Sequence, residues 1–145
     1  MLKSLKQKAL LARQLSVPDW LGLVEAWALL FFYHLASRWM SYERLSIQAH
    51  PAMDKRSDPS QALILAKRIQ QLVAYAARLH LLPMTCLMRS LAIQEMLVER
   101  NIPAHLCIGV YKSMAEIHAH AWVEVNGVVL GESRDVSQKF RILGR

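Results

Sequence analysis

An α+β domain, helices first and a small antiparallel sheet after them, is the fold class the sequence predicts. Residues up to about 100 carry apolar positions at helical spacing, and residues 104–130 alternate with a period of two. Inside the alternating part, Asn126-Gly127 is a two-residue hairpin signal. At 145 residues the chain has the length of one domain, long enough to bury a real core and too short for two enzymatic units. It reads as a single domain over 1–145, with a helical region over 1–56 and a second region over 57–145 that shares its core.

The helices follow in order. Leu2, Leu5, Ala9 and Ala12 alternate with Lys3, Lys6, Lys8 and Arg13, an amphipathic segment. Pro18-Asp19 breaks it and starts the next helix, with Asp19 suited to a first turn, and one long helix or two extend from Trp20 to about Ile47. The run Trp20–Leu35 is apolar enough to raise a membrane span. Its uninterrupted part, Ala26 to Tyr33, is far below the roughly 20 residues a span needs, so the expectation is a buried core helix. Pro18-Asp19-Trp20 stands where a signal peptide would need small residues, and cytoplasmic residence is the default. Ser57-Asp58-Pro59-Ser60 reads as a loop entering a helix with Ser60 as its cap. Gln61 to Leu82 then repeats Leu63, Ala66, Ile69 or Gln70, Val73, Ala77 and Leu81 on one stripe.

The next helix opens at Pro83-Met-Thr-Cys86 and continues through Leu87, Leu91, Met96 and Leu97. Cys86 falls in its first turn, where unpaired N–H groups and the positive end of the helix dipole stabilise a thiolate, and Arg89 one turn on adds to that. Taken alone, such a cysteine is more often a small buried hydrophobe.

The strands come last. In 104–112, Cys107 shares a face with His105, Gly109 and Tyr111 and reads as a partly buried strand cysteine. A disulfide with Cys86 is disfavoured, and His118-x-His120 with one cysteine is too sparse for a zinc site. In 118–126, His118, His120, Trp122 and Glu124 point one way while Ala119, Ala121, Val123 and Val125 point the other. Across the Asn126-Gly127 turn a strand over 128–133 returns, pairing 125 with 128 and 121 with 132. That register brings Glu132 near His120, where a carboxylate can hold the tautomer and orientation of an imidazole. A histidine taken singly on such a face is more often solvated or simply hydrogen-bonded.

These residues carry a resemblance. Cys86-Leu-Met-Arg-Ser-Leu-Ala, Ile102-Pro-Ala-His-Leu-Cys-Ile-Gly-Val and His120-Ala-Trp-Val-Glu resemble the protease component of lasso-peptide biosynthesis, in the transglutaminase-like branch of papain-type folds. The resemblance is densest over residues 83–135. It implies a papain/transglutaminase-like α+β fold, N-terminal helices packed on a short antiparallel sheet with the nucleophile at a helix N-terminus. It also implies a cysteine peptidase that removes the leader from a ribosomally made precursor peptide. Carried over, the nucleophile falls on Cys86, the base on His120 and the third member on Glu132, where the family usually has aspartate; Asp135 is the alternative. The implied company is a separate leader-recognition protein of winged-helix type and an ATP-dependent cyclase.

The net charge of +7 is partly concentrated near the N-terminus, in Lys55, Arg56, Lys67 and Arg68, and in the tail from Lys139. A solvated face is the common explanation. An acidic leader or partner and a peripheral contact with an anionic membrane come next, and nucleic acid ranks last for want of a binding motif. No cofactor or metal is expected, and no Gly-rich phosphate loop is present. Two rival functions remain: an amidase or acyltransferase on the same Cys-His scaffold, and a non-catalytic peptide- or membrane-binding module.

Overall fold

A computed structural model of the protein describes residues 16–41, 58–113, 116–131 and 136–144. It is an α+β fold as expected, with three long helices and a four-stranded antiparallel sheet among the described residues. Helix α1 spans Val17–Ala36, α2 Pro59–Leu79 and α3 Cys86–Glu99; then come β1 (His105–Lys112), β2 (Ile117–Val125), β3 (Val128–Val129), the one-turn α4 (Val136–Lys139) and β4 (Arg141–Gly144). The strand order is β3-β2-β1-β4.

Ser16 precedes α1, and the Asp19 carboxylate accepts from its backbone N–H at 3.0 Å and its hydroxyl at 2.7 Å, a capping arrangement supported by Pro18 in the first turn. The first helix of the expected run ends at Ala36 in a turn; the rest of that run, toward Ile47, falls on residues 42–57, which lie outside the described residues, as does the amphipathic segment 1–15. The cap of α2 is Asp58, not Ser60. Its carboxylate accepts from the Ser60 N–H at 3.1 Å, and Pro59 holds the first helical position, where no N–H is needed. The buried stripe of α2 keeps the expected Ala66, Ile69 and Val73, with Leu72 beside them and Ala62 and Ala76 in place of Leu63 and Ala77, and Leu81 is exposed beyond the helix.

Cross-links between helices set their directions. Arg68 grips Asp19 through Nε and Nη2, both at 2.8 Å, and His80 stacks on Trp27 with centroids 4.6 Å apart, so α1 and α2 run parallel. Arg100 grips Glu25 at 2.9 and 2.6 Å and the Tyr33 hydroxyl donates to Glu95, so α3 runs antiparallel to α1. Burial and the adjacent Glu95 push the Tyr33 phenol well above its ordinary range. One core cluster joins Leu23, Ala26 and Leu30 of α1 to Ile69, Leu91, Met96 and Leu97, and reaches Leu106, Ala121, Val123 and Val125 on one face of the sheet. The other face carries a smaller cluster of Cys107, Trp122 and Val136, bordered by Phe140 and Ile142.

Two expectations need correction. The strand after the hairpin pairs only Val128 and Val129, because Leu130 makes one last bond to the Val123 carbonyl (2.9 Å) and Gly131 turns away with φ +71° beneath the Gln70 side chain. The run Trp20–Leu35 is a core helix on one face alone; its opposite face is exposed.

Candidate active site

Cys86 is the first residue of α3, half-buried against the helical core. Thr85 caps the helix, its hydroxyl accepting from the Met88 N–H at 3.4 Å. Arg89 reaches back along the same turn, and its Nη2 donates to the Met84 carbonyl at 3.1 Å. The guanidinium therefore braces the segment that leads into Cys86. First-turn amides and the helix dipole favour an anion at this position.

Two buried side chains fasten α3 to the sheet. Ser90 Oγ donates to the Ala121 carbonyl and Gln94 Nε2 to the Ala104 carbonyl, both at 3.0 Å. Ala104 precedes His105, which pairs with Glu124, so α3 runs in the direction of β2. Cys86 lies one turn before Ser90, about 6 Å along the axis. Two strand residues cover about the same distance, so Cys86 is level with residues 119 and 120 of β2.

The side of β2 matters as much as the level. The Val123 carbonyl takes the Leu130 N–H of the hairpin, and carbonyls two apart point the same way, so the Ala121 carbonyl also points to the outer edge, away from β1. Toward Ile117 no strand among the described residues pairs with that edge. The Ser90 hydroxyl takes up the acceptor where β3 runs out.

His120 pairs with Gly109 across the β1–β2 ladder, half-buried, on the face that carries Trp122. Its ring lies 5.5 Å from Phe140 and 6.2 Å from Trp122. Gly109 makes this possible. A Cβ there would stand 2.6 Å from the Phe140 Cβ and 3.0 Å from the Trp122 ring, so the missing side chain is the space in which those rings pack beside the imidazole. Because α3 covers the opposite face, the path between the Cys86 thiol and the His120 ring runs around the outer edge of β2 and not through the sheet.

The remaining candidates are placed as follows. Glu132 and Asp135 lie outside the described residues; their nearest described neighbours are Gly131, against Gln70 of α2, and Val136, packed with Cys107 and Trp122. His118 is exposed, with Glu116 at 3.7 Å and the Tyr111 ring at 6.2 Å. Cys107 is fully buried beside Trp122, on the other side of the sheet from Cys86, and no disulfide joins the two. Glu124 shares the face of His120 and accepts from the Trp122 indole N–H at 3.1 Å, but four strand residues, about 13 Å, separate it from the histidine. Sequence reasoning missed Phe140 and Gly109. The spacing of Val136, Phe140 and Ile142 was a signal, hidden inside a basic tail.

A family model described as the Transglutaminase-like superfamily matches residues 29–145. Over 58 residues the chain is 38% identical to the microcin J25-processing protein McjB of Escherichia coli, a stretch that covers 40% of this chain and 27% of that protein's length. No solved structure matches. Both matches agree with the resemblance drawn from residues 83–135. A family match across most of the chain, together with an α+β fold of the expected kind, means that this protein belongs to the transglutaminase-like superfamily.

Proposed function

We propose that this protein is a cysteine peptidase that removes the leader from a ribosomally made lasso-peptide precursor, with Cys86 as nucleophile and His120 as base. The single observation that carries the reading is the bond from Ser90, one turn past Cys86, to the Ala121 carbonyl on the open outer edge of β2, the strand that carries His120. Family membership and the likeness to a microcin-processing protein supply the substrate class.

The steps follow from that pair. His120 takes the Cys86 proton, and the thiolate adds to the carbonyl of the last leader residue. The oxyanion forms beside the amides of the first turn of α3, with the Cys86 N–H as one donor. Protonated His120 then supplies a proton to the departing core amine, and the C–N bond breaks to leave a leader thioester. His120 next takes a proton from water, which hydrolyses the thioester and regenerates the thiol. Glu132, with Asp135 as alternative, would orient the imidazole. In this reading the protein works in the cytoplasm beside a leader-recognition protein that delivers the precursor and a cyclase that uses the freed amine.

The test is mass spectrometry of a cognate precursor incubated with this protein and its recognition partner. Wild type is expected to release the leader with gain of one water. Cys86→Ala and His120→Ala are each expected to lose about three orders of magnitude in rate or more. Cleavage by the Cys86 variant at the wild-type rate would overturn the mechanism. Glu132→Ala and Asp135→Ala, run alongside, identify the third member by which of them loses activity.

A further inference from the structure

Helix α1 is apolar toward solvent as well as toward the core, unlike an ordinary surface helix, which turns a polar face to water. Its acids are turned inward: Asp19 is held by Arg68 of α2 and Glu25 by Arg100 at the end of α3. From Trp20 to Leu35 every exposed residue is apolar. Leu21 (67% exposed), Val24 (64%), Phe31, Phe32 and Leu35 recur at helical spacing along a face about 21 Å long, and Trp27 borders it. Monomeric proteins seldom leave so continuous an apolar surface in water.

The charge of the chain says what kind of surface fits. The fifteen residues before α1's cap hold Lys3, Lys6, Lys8 and Arg13 and no acid, Arg38 and the largely exposed Trp39 follow the helix, and the net charge is +7. A second copy would bring like charge against like, and the face offers no polar group to fix a register between two proteins. An anionic bilayer needs no register. It takes an apolar face at the boundary of headgroups and acyl chains, aromatic rings at the interface and cations beside it. No helix among the described residues is long and apolar enough to cross a membrane.

We infer that the outer face of α1 is a peripheral membrane site, lying in the plane of an anionic lipid surface. This depends on α1 and its flanking cations alone and not on the cysteine chemistry, so either can fail without the other.

The full chain is mixed with vesicles of phosphatidylcholine, with or without phosphatidylglycerol, and followed by co-sedimentation and by the blue shift of tryptophan emission. Partition into the anionic vesicles is expected to exceed that into neutral ones by roughly tenfold or more. Leu21→Gln with Val24→Gln removes apolar surface without changing charge or the core, and should lower partition by roughly tenfold or more while circular dichroism and leader cleavage stay unchanged. Failure of the wild type to bind anionic vesicles would overturn the inference. So would equal binding by the double variant, which would mean adsorption through the basic segment alone. A concentration-dependent dimer that the double variant disrupts would overturn it too, by making the face a contact between copies.

Discussion

Helices α1 and α3 are both rich in large apolar residues, yet they meet opposite fates. α3 is enclosed by α1, α2 and the sheet and leaves no large apolar side chain exposed; α1 leaves eight, from Val17 to Leu35. The difference teaches that hydrophobicity sets what a helix can bury, while the number of elements packed around it sets what it does bury. α3 is also the element that carries Cys86, the proposed nucleophile, and enclosure on several sides is what would fix such a group to better than a side chain's breadth. α1, held on one side only, contributes half a core and keeps the other half for a different surface.

Truncating the same residue type on each helix should separate the two most widely. Leu91 of α3 is 1% exposed and Leu21 of α1 is 67% exposed. Urea unfolding is expected to show a loss of about 2–5 kcal/mol for Leu91→Ala. For Leu21→Ala the expected change is within about 0.5 kcal/mol. Comparable losses at both sites would break the contrast. Next in size, Gly109→Ala forces a Cβ against Phe140 and should cost about 1–3 kcal/mol by overpacking, with slower leader cleavage as the rings beside His120 shift.

Ser90→Ala sharpens the role of α3. It leaves the Ala121 carbonyl without its hydroxyl partner, at a cost of about 1–3 kcal/mol. If that bond sets the level of Cys86, kcat should fall with little change in KM, and Ser90→Thr should restore part of it. The smallest effect concerns the attachment of α1. Hydrogen bonds from Arg68 and Ser16 hold the Asp19 carboxyl well below the ordinary carboxylate range. The stability it lends is therefore complete above the unfolded value of about 3.9 and drains away as pH falls through the lower folded value. Asp19→Asn should flatten that part of an acid-denaturation curve and leave the neutral region nearly parallel to wild type.

Much of this was readable beforehand, for identifiable reasons. Alternation placed His120 and Trp122 on one face and Ala121 and Val123 on the other, and Asn126 and Gly127, both at positive φ, close the expected turn with Val125 opposite Val128. Cys86 stands at a helix start because Thr85 can cap it. What escaped was decided by neighbours. A helix apolar all round gives periodicity no way to choose its inner face, so α1 read as core. β3 ends early because Gly131 is drawn under Gln70 of α2, a contact that no local pattern records. β4 is four residues long, with Ile142 half-buried between Arg141 and the exposed Leu143, too short a run to read as a strand.

The Ser90 hydroxyl has one more effect, on how a peptide can approach. An open strand edge is a ready template for β-augmentation, in which an incoming chain pairs its backbone with the edge. At Ala121 the acceptor such a chain would need is already taken by α3. On the proposed function, a precursor that reaches Cys86 would then cross the end of α3, because pairing with β2 at that point would compete with the Ser90 hydroxyl.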